Sequence, residues 1–247
     1  ADCIYVDQNL EISKAYSNVI VVDTVNKVEI NGHYGFFDKS KNLSTVADSA
    51  LLIQFMDKDT LYIHGDTIRG MEDSEQQKSF YIYKGVRMFK NDIQTVCDSL
   101  SYSFSDSLIR LMQKPILWSG SNQLTGDTIS IFTYDNSLKK MYIDGHSMIV
   151  SEVDSLFDFY DQIKGRNMVG YFENNDLTKM IVSGNGQTLY YAQEADSSFT
   201  GVNVAECSNL KIIFSNNEIN KIVFLKKPEA TFYPLKQFPL DQSKMED

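Results

Sequence analysis

The sequence contains few of the residues that cross-link a chain or interrupt its strands. Of its 247 residues, 3 are cysteines, at positions 3, 97 and 207, too far apart for a metal-binding or redox motif. Four are prolines, and three of these lie at or after residue 228. Because a strand inside a sheet needs its N–H donors, a body almost without proline suits a continuous sheet, followed by a different tail.

Long hydrophobic runs and excess positive charge are also lacking. The longest apolar runs span about five residues or fewer, far short of a membrane helix. No N-terminal stretch combines a basic start with an apolar middle, so a signal peptide is absent or already removed. A chain with a formal net charge of −10 would be repelled by nucleic acid and by anionic membrane surfaces, so neither is an expected partner.

Catalytic signatures are missing as well. The chain has no nucleophile elbow, phosphate loop, zinc-protease motif or dinucleotide fingerprint. Its three histidines, His33, His64 and His146, each lie directly beside a glycine, and we expect them to be exposed in turns. The sequence therefore predicts a protein that is not an enzyme, with no catalytic residue, metal or cofactor.

The residues that are abundant favour strands. Aromatic residues make up 12% of the chain, with many Val, Ile and Thr beside them. Between short apolar runs lie two- or three-residue segments typical of hairpin turns: 31–32, 64–66, 135–136, 144–145, 174–175, 184–186 and 216–217. One exception is 151–162, where Val153, Leu156 and Tyr160 have helical spacing and predict a short helix.

An internal repeat returns about every 40 residues. Residues 123–150, 162–190 and 208–230 align, with Gly126 matching Gly165 and Gly145 matching Gly184. Each unit reads as strand, turn, strand and closing glycine. Such a series predicts an all-β, repetitive, antiparallel and elongated fold.

Alternation within the aligned strands selects one apolar face, because neighbouring side chains of a strand point to opposite sides. We call these thirteen positions the apolar stripe. They are Ile129, Ile131, Met141, Ile143, Met168, Phe172, Met180, Val182, Leu210, Ile212, Phe214, Ile222 and Phe224.

Three segments resemble a known family. They are DQIKGRNMVGYFENNDLTKMIVSGNGQTLYYAQE, AECSNLKIIFSNNEINKIVFLKKPEATFYPL and the earlier NDIQTVCDSLSYSFSDSLIRL. They are similar to OstA-like proteins of Bacteroidetes, relatives of the periplasmic lipopolysaccharide-transport proteins of the LptA/OstA superfamily. The resemblance covers roughly residues 20–235.

This resemblance implies a β-taco or open β-jellyroll, in which two antiparallel sheets form a V around a groove for lipopolysaccharide acyl chains. It assigns the apolar stripe to lipid binding, residues 1–235 to one elongated domain and residues 236–247 to a tail or linker. The implied partners are lipopolysaccharide (lipid A) and other bridge components or further copies, joined edge to edge. The implied location is the periplasm, as a mature chain after signal removal or as part of a larger envelope protein.

Other interpretations stay open at the level of sequence. The apolar stripe also fits the ordinary core of a closed β-sandwich, in a scaffold that binds a protein partner by edge-strand addition. A polysaccharide-active enzyme would need a cluster of carboxylates on one face, and the sequence offers no candidate cluster. The basic pairs Lys139–Lys140, Lys164–Arg166, Lys226–Lys227 and Arg110–Lys114 suit solvated strand ends or a groove rim that binds lipid A phosphates.

Overall fold

A computed structural model describes residues 1–56, 59–75, 77–135, 137–154, 158–194, 198–215, 218–239 and 245. Within these residues, the chain is almost entirely strand, with two single-turn 3-10 helices at Lys39–Lys41 and Leu235–Gln237. No helix in the described ranges is long and apolar enough to cross a membrane.

Seventeen strands occur in the described part of the chain, and most of the central ones are long. They are β1 Cys3–Asp7, β2 Ile12–Asp23, β3 Val28–Asp38, β4 Leu43–Phe55, β5 Thr60–Glu72, β6 Lys78–Lys90, β7 Ile93–Ser103, β8 Leu108–Met112, β9 Ile116–Ser119, β10 Asn122–Thr125, β11 Thr128–Tyr134, β12 Ser137–Asp154, β13 Phe159–Glu173, β14 Asp176–Gln193, β15 Phe199–Ser215, β16 Glu218–Leu225 and β17 Glu229–Pro234.

Consecutive strands pair antiparallel along most of the chain. One ladder runs from β1 to β8, and another from β12 to β16, with β17 paired to the first half of β15. Two compact units result: unit 1 is Ala1–Pro115 with Ser130–Asn136, and unit 2 is Ile116–Ile129 with Ser137–Asp247. The predicted all-β, repetitive antiparallel fold class is confirmed.

A register shift divides each long strand in two. In unit 1 these β-bulges fall between residues 16 and 19, 31 and 34, 47 and 50, 64 and 67, and 83 and 86. Because a bulge bends its strand, the two halves of each strand belong to two layers. The first layer of unit 1 comprises 12–16, 34–38, 43–47, 67–72, 78–83 and 99–103. The second comprises 19–23, 28–32, 50–55, 60–64, 86–90 and 93–97.

Four of the predicted hairpin turns are wrong, because they lie at these bulges. Positions 31–32, 64–66, 144–145 and 184–186 are inside β3, β5, β12 and β14. Some bulges do need left-handed backbone, as at Gly145 (φ 70°) and Gly184 (φ 80°). At Gly32 the need is for space instead, since a Cβ there would lie 2.5 Å from Val46 Cγ1. Hairpin turns and bulges thus select the same residues for shared physical reasons.

The turn at Asn174–Asn175 is confirmed, with both residues at positive φ between β13 and β14. The pairs 135–136 and 216–217 fall partly or wholly outside the described residues. The predicted helix at 151–162 is wrong where the chain is described, because β12 extends to Asp154 and β13 begins at Phe159.

The end of the chain folds back onto unit 2. Leu235, Phe238 and Met245 pack against the buried residues Leu189, Tyr191 and Val202. The backbone N–H of Met245 donates to Gln162 Oε1 at 2.7 Å. The predicted division between a domain of residues 1–235 and a tail of residues 236–247 stays a prediction.

Candidate functional site

The apolar stripe lies on one face of its strands. Register pairs connect Ile143 to Met168, Met168 to Val182, Val182 to Leu210, and Leu210 to Phe224. A second row joins Met141, Met180, Ile212 and Ile222 across Gly170. For these nine residues of unit 2 the predicted shared face is confirmed.

Most of the apolar stripe is packed core. Two of its residues, Ile222 and Phe224 on β16, are half-buried. The other eleven are at most 6% exposed: Ile129, Ile131, Met141, Ile143, Met168, Phe172, Met180, Val182, Leu210, Ile212 and Phe214. A lipid could reach these eleven only by separating the packed side chains, so their contact with lipid stays a prediction.

Open space between layers occurs in unit 1, near the first strands. A cleft of about 550 Å³ lies between the two layers, at the strand ends farthest from the bulges. Val21, Val28 and Ile30 line it from the second layer, and Phe37 and Phe80 from the first. Its volume is typical of small-molecule pockets, which range from about 300 to 1,000 Å³.

Small side chains explain why this space is not filled. Ser13, Ser44, Gly70 and Ser79 belong to the first layer and line the cleft. Ser13 and Ser44 lie two residues before the buried Ala15 and Val46, so each shares its strand's interior face with that buried residue. The interior face of the first layer thus continues into the cleft, but the side chains on it become smaller there.

An ion pair ties the two layers together at the mouth. Lys78 Nζ, from the first layer, lies 2.8 Å from Asp23 Oδ2, from the second. Asp23 also accepts the backbone N–H groups of Val25 and Asn26 through Oδ1, at 3.0 and 3.1 Å. These bonds fix the turn that follows β2 beside the opening.

The pKa of Asp23 shows that its carboxylate stays charged in this ion pair. Burial alone would raise the pKa of Asp23, but hydrogen bonds from Lys78 and Asn26 outweigh it and lower the pKa to about 2. Asp23 is therefore ionised at any physiological pH. Acids outnumber bases among the residues that line the cleft, which include Glu11, Asp23, Asp38 and Glu72 but only Lys39 and Lys78.

A second polar tie lies deeper in unit 1. Tyr102 of the first layer donates its hydroxyl proton to Gln54 Oε1 of the second layer, at 2.9 Å. Burial raises the pKa of Tyr102, which therefore stays neutral and able to donate. Each of the two ties joins a residue of the first layer to a residue of the second.

Sequence reasoning missed this cleft because it looked for the groove where the repeat is clearest. The available signal was the substitution of Ser and Gly for larger residues at interior positions of β2, β4 and β5. Nothing in local sequence shows that these small residues come together, because they are brought together by strand pairing.

The histidines and the two buried cysteines do not form a second candidate site among the described residues. His33 and His146 are exposed and His64 is half-buried, and all three lie at bulges rather than at hairpin turns. Cys97 and Cys207 are buried, and burial raises the pKa of both thiols, that of Cys97 to about 11. Among the described residues, no three His, Cys, Asp or Glu side chains are placed to hold a metal ion.

Comparison with known proteins finds a structural likeness but no match in sequence. No protein-family model matches the chain, and no curated protein does. A similar solved structure is LptH, the LptA-homologous periplasmic component of the lipopolysaccharide transport device of Pseudomonas aeruginosa. It has 12% sequence identity and a TM-score of 0.44, over 57% of this chain and 95% of LptH. A likeness this loose assigns no ligand to the present chain.

Proposed function

We propose that this protein is a non-enzymatic periplasmic carrier that holds lipopolysaccharide acyl chains between two antiparallel layers. The observation that carries the proposal is the interlayer cleft of unit 1, which Val21, Val28, Ile30, Phe37 and Phe80 line together with several charged residues. The resemblance of the sequence to OstA-like proteins supports lipopolysaccharide as the lipid. In this proposal the apolar stripe is a second lipid-contacting surface, used when its layers separate.

The energetics of such a site need no chemical step. Each methylene moved from water into an apolar site contributes about 0.8 kcal/mol, so ten methylenes contribute about 8 kcal/mol before the costs of ordering. The charged opening suits a ligand whose polar head remains in water while its chain enters. Lys39 and Lys78 are the two basic residues that line the cleft, so in this proposal they attract an anionic head.

Filling the cleft tests the proposal. We expect Ser13→Phe to occupy the space that an acyl chain would use, since Ser13 lines the cleft. The matched control is Lys14→Phe, one residue along β2 on the opposite face. The measurement is mass spectrometry of organic extracts after incubation with lipopolysaccharide and washing.

Wild type and Lys14→Phe should retain lipid A, and Ser13→Phe should retain at least about tenfold less, equivalent to about 1.4 kcal/mol. Circular dichroism of each variant checks that the fold is kept. Equal retention by the two variants, or none by folded wild type, would overturn the proposal.

A second candidate function is a scaffold that binds a further chain by strand addition. It is favoured by the exposed apolar residues of the first two strands: Ile4 is 64% exposed, Val6 58%, Ile20 59% and Val22 62%. Because Ile4, Tyr5 and Val6 are all exposed, β1 offers apolar surface on both of its faces. The same strands would join copies or bridge components in the carrier, so concentration-dependent association without lipid retention would favour the scaffold.

A further inference from the structure

The bulges of unit 2 enclose a second, much more polar cleft. Its volume is about 390 Å³, and it is lined by His146, Lys164, Arg166, Asn185, Gln187 and three glycines. None of these lining residues is acidic, in a chain whose net charge is −10. The cleft is therefore lined by basic side chains and hydrogen-bond donors, although the chain as a whole is acidic.

The backbone of this cleft is held in place by neighbouring strands. Gly145 and Gly184 have positive φ at their bulges, and so do the residues that follow them, His146 and Asn185. The N–H of Gly145 donates to Asn167 Oδ1, and that of Gly184 to Asn209 Oδ1, both at 3.2 Å. The same bond in two successive repeats shows that the bulges are built in a fixed form.

The cationic side chains are positioned by that backbone. A Cβ on Gly184 would lie 3.1 Å from Arg166 Cβ and 3.7 Å from Arg166 Nε, so the missing side chain lets Arg166 lie against the bulge. His146 Nδ1 lies 3.1 Å from the carboxylate of Asp127, which orients the ring. Gln187 donates to Glu206 at 2.9 Å. Two carboxylates therefore border the cleft, each already bonded to a lining residue.

We propose that this cleft binds a phosphate group, as a phosphate monoester or diphosphate, through Lys164 and Arg166. A guanidinium offers paired donors that match phosphate oxygens, an ammonium adds a point charge, and the amides of Asn185 and Gln187 supply further donors. This site belongs to unit 2 and does not depend on the acyl-chain cleft of unit 1. Of the four basic pairs in the sequence, the proposal assigns phosphate binding to Lys164–Arg166.

The test is a titration of the full chain with inorganic pyrophosphate at low salt, followed by isothermal calorimetry and by amide NMR signals. The variant is Lys164→Gln with Arg166→Gln. Its matched control is Lys226→Gln with Lys227→Gln, which removes the same charge from an exposed pair elsewhere in unit 2. We expect wild type and control to bind alike, and the variant to bind at least tenfold more weakly, with shifts at Gly145, Gly184 and Asn185.

Arg166→Lys is a second variant that keeps the charge and removes the paired donors. It should bind with intermediate affinity, and circular dichroism should show all variants folded. Equal affinity of the two double variants, or no binding of pyrophosphate by wild type, would overturn the proposal.

Vesicles distinguish the two sources of such a phosphate. Phosphatidylcholine vesicles with and without phosphatidic acid are tested against the same variants. Binding that needs both phosphatidic acid and the Lys164–Arg166 pair supports a lipid headgroup as the ligand. Binding of pyrophosphate alone supports a free phosphate compound, and binding that ignores the pair contradicts the site.

Discussion

At the scale of single residues, a few polar groups connect the two layers of unit 1. Asp23 is the clearest case, because it is bonded at once to its own turn and to Lys78 of the facing layer. Nothing in the local sequence around Asp23 identifies this partner. Its partner is 55 residues away, so only the folded chain reveals the tie.

Asp23→Asn tests how much this tie contributes. Asparagine can still accept the N–H groups of Val25 and Asn26, but it loses the charge that pairs with Lys78. We expect the free energy of unfolding at neutral pH to fall by about 1 kcal/mol, since water screens the partly exposed Lys78. Urea unfolding measures the difference, with the exposed Asp66→Asn as control.

The pH dependence of that difference has a definite sign. The pKa of Asp23 falls from its ordinary value of 3.8 to about 2 on folding. A lowered pKa stabilises the folded chain above about pH 4, and this stabilisation is lost as the pH falls toward 2. The gap between wild type and Asp23→Asn should therefore narrow over that window, and a gap that is constant or grows would contradict the assignment.

At the scale of elements, the recurring device is the bulge that divides a long strand. Gly165 is the glycine of β13 at this point, and a Cβ added there would clash with Val182 on β14. Its partner strand supplies the positive-φ pair Gly184–Asn185. At this bulge, one strand therefore needs a glycine because a side chain would not fit, and the next strand needs residues in the left-handed backbone conformation.

A double-mutant cycle tests the close approach at Gly165. We expect Gly165→Ala to lower the free energy of unfolding by about 1–3 kcal/mol, as overpacking does. Val182→Ala alone removes core volume and also destabilises. Because the second change makes room for the first, the double variant should be more stable than the sum of the two losses, with a coupling of about 1 kcal/mol.

Denaturant unfolding of the four proteins gives the coupling. Strict additivity would show that Val182 does not limit the space at Gly165, and that the glycine is required for another reason.

Several elements were predictable from local sequence, and others were not. Alternation of apolar residues correctly grouped Met168, Val182 and Leu210 on one face, because the two-residue period of a strand is a local property. Local pattern could not tell a bulge from a hairpin turn at Gly145 or Gly184, since both require the same backbone. The helical spacing around Val153 and Tyr160 was misleading, because in strands both faces of a layer can be apolar.

At the scale of the whole molecule, the fold class followed from the repeat, but the open site did not. Repetition of an apolar face is common to a filled core and a lipid groove, and the two differ only in how large the facing side chains are. In the apolar stripe those side chains fill the space. Along β2, β4 and β5 of unit 1 they do not, because Ser13, Ser44 and Gly70 occupy interior positions.

The central claim is that an acyl chain enters the interlayer cleft of unit 1. The most direct measurement is photo-crosslinking with lipid A that carries a diazirine on an acyl chain, followed by peptide mapping. The proposal predicts crosslinks at Val21, Phe37 and Phe80, which should decrease in Ser13→Phe. Crosslinks confined to residues of the opposite face, such as Lys14 and Phe36, would contradict it.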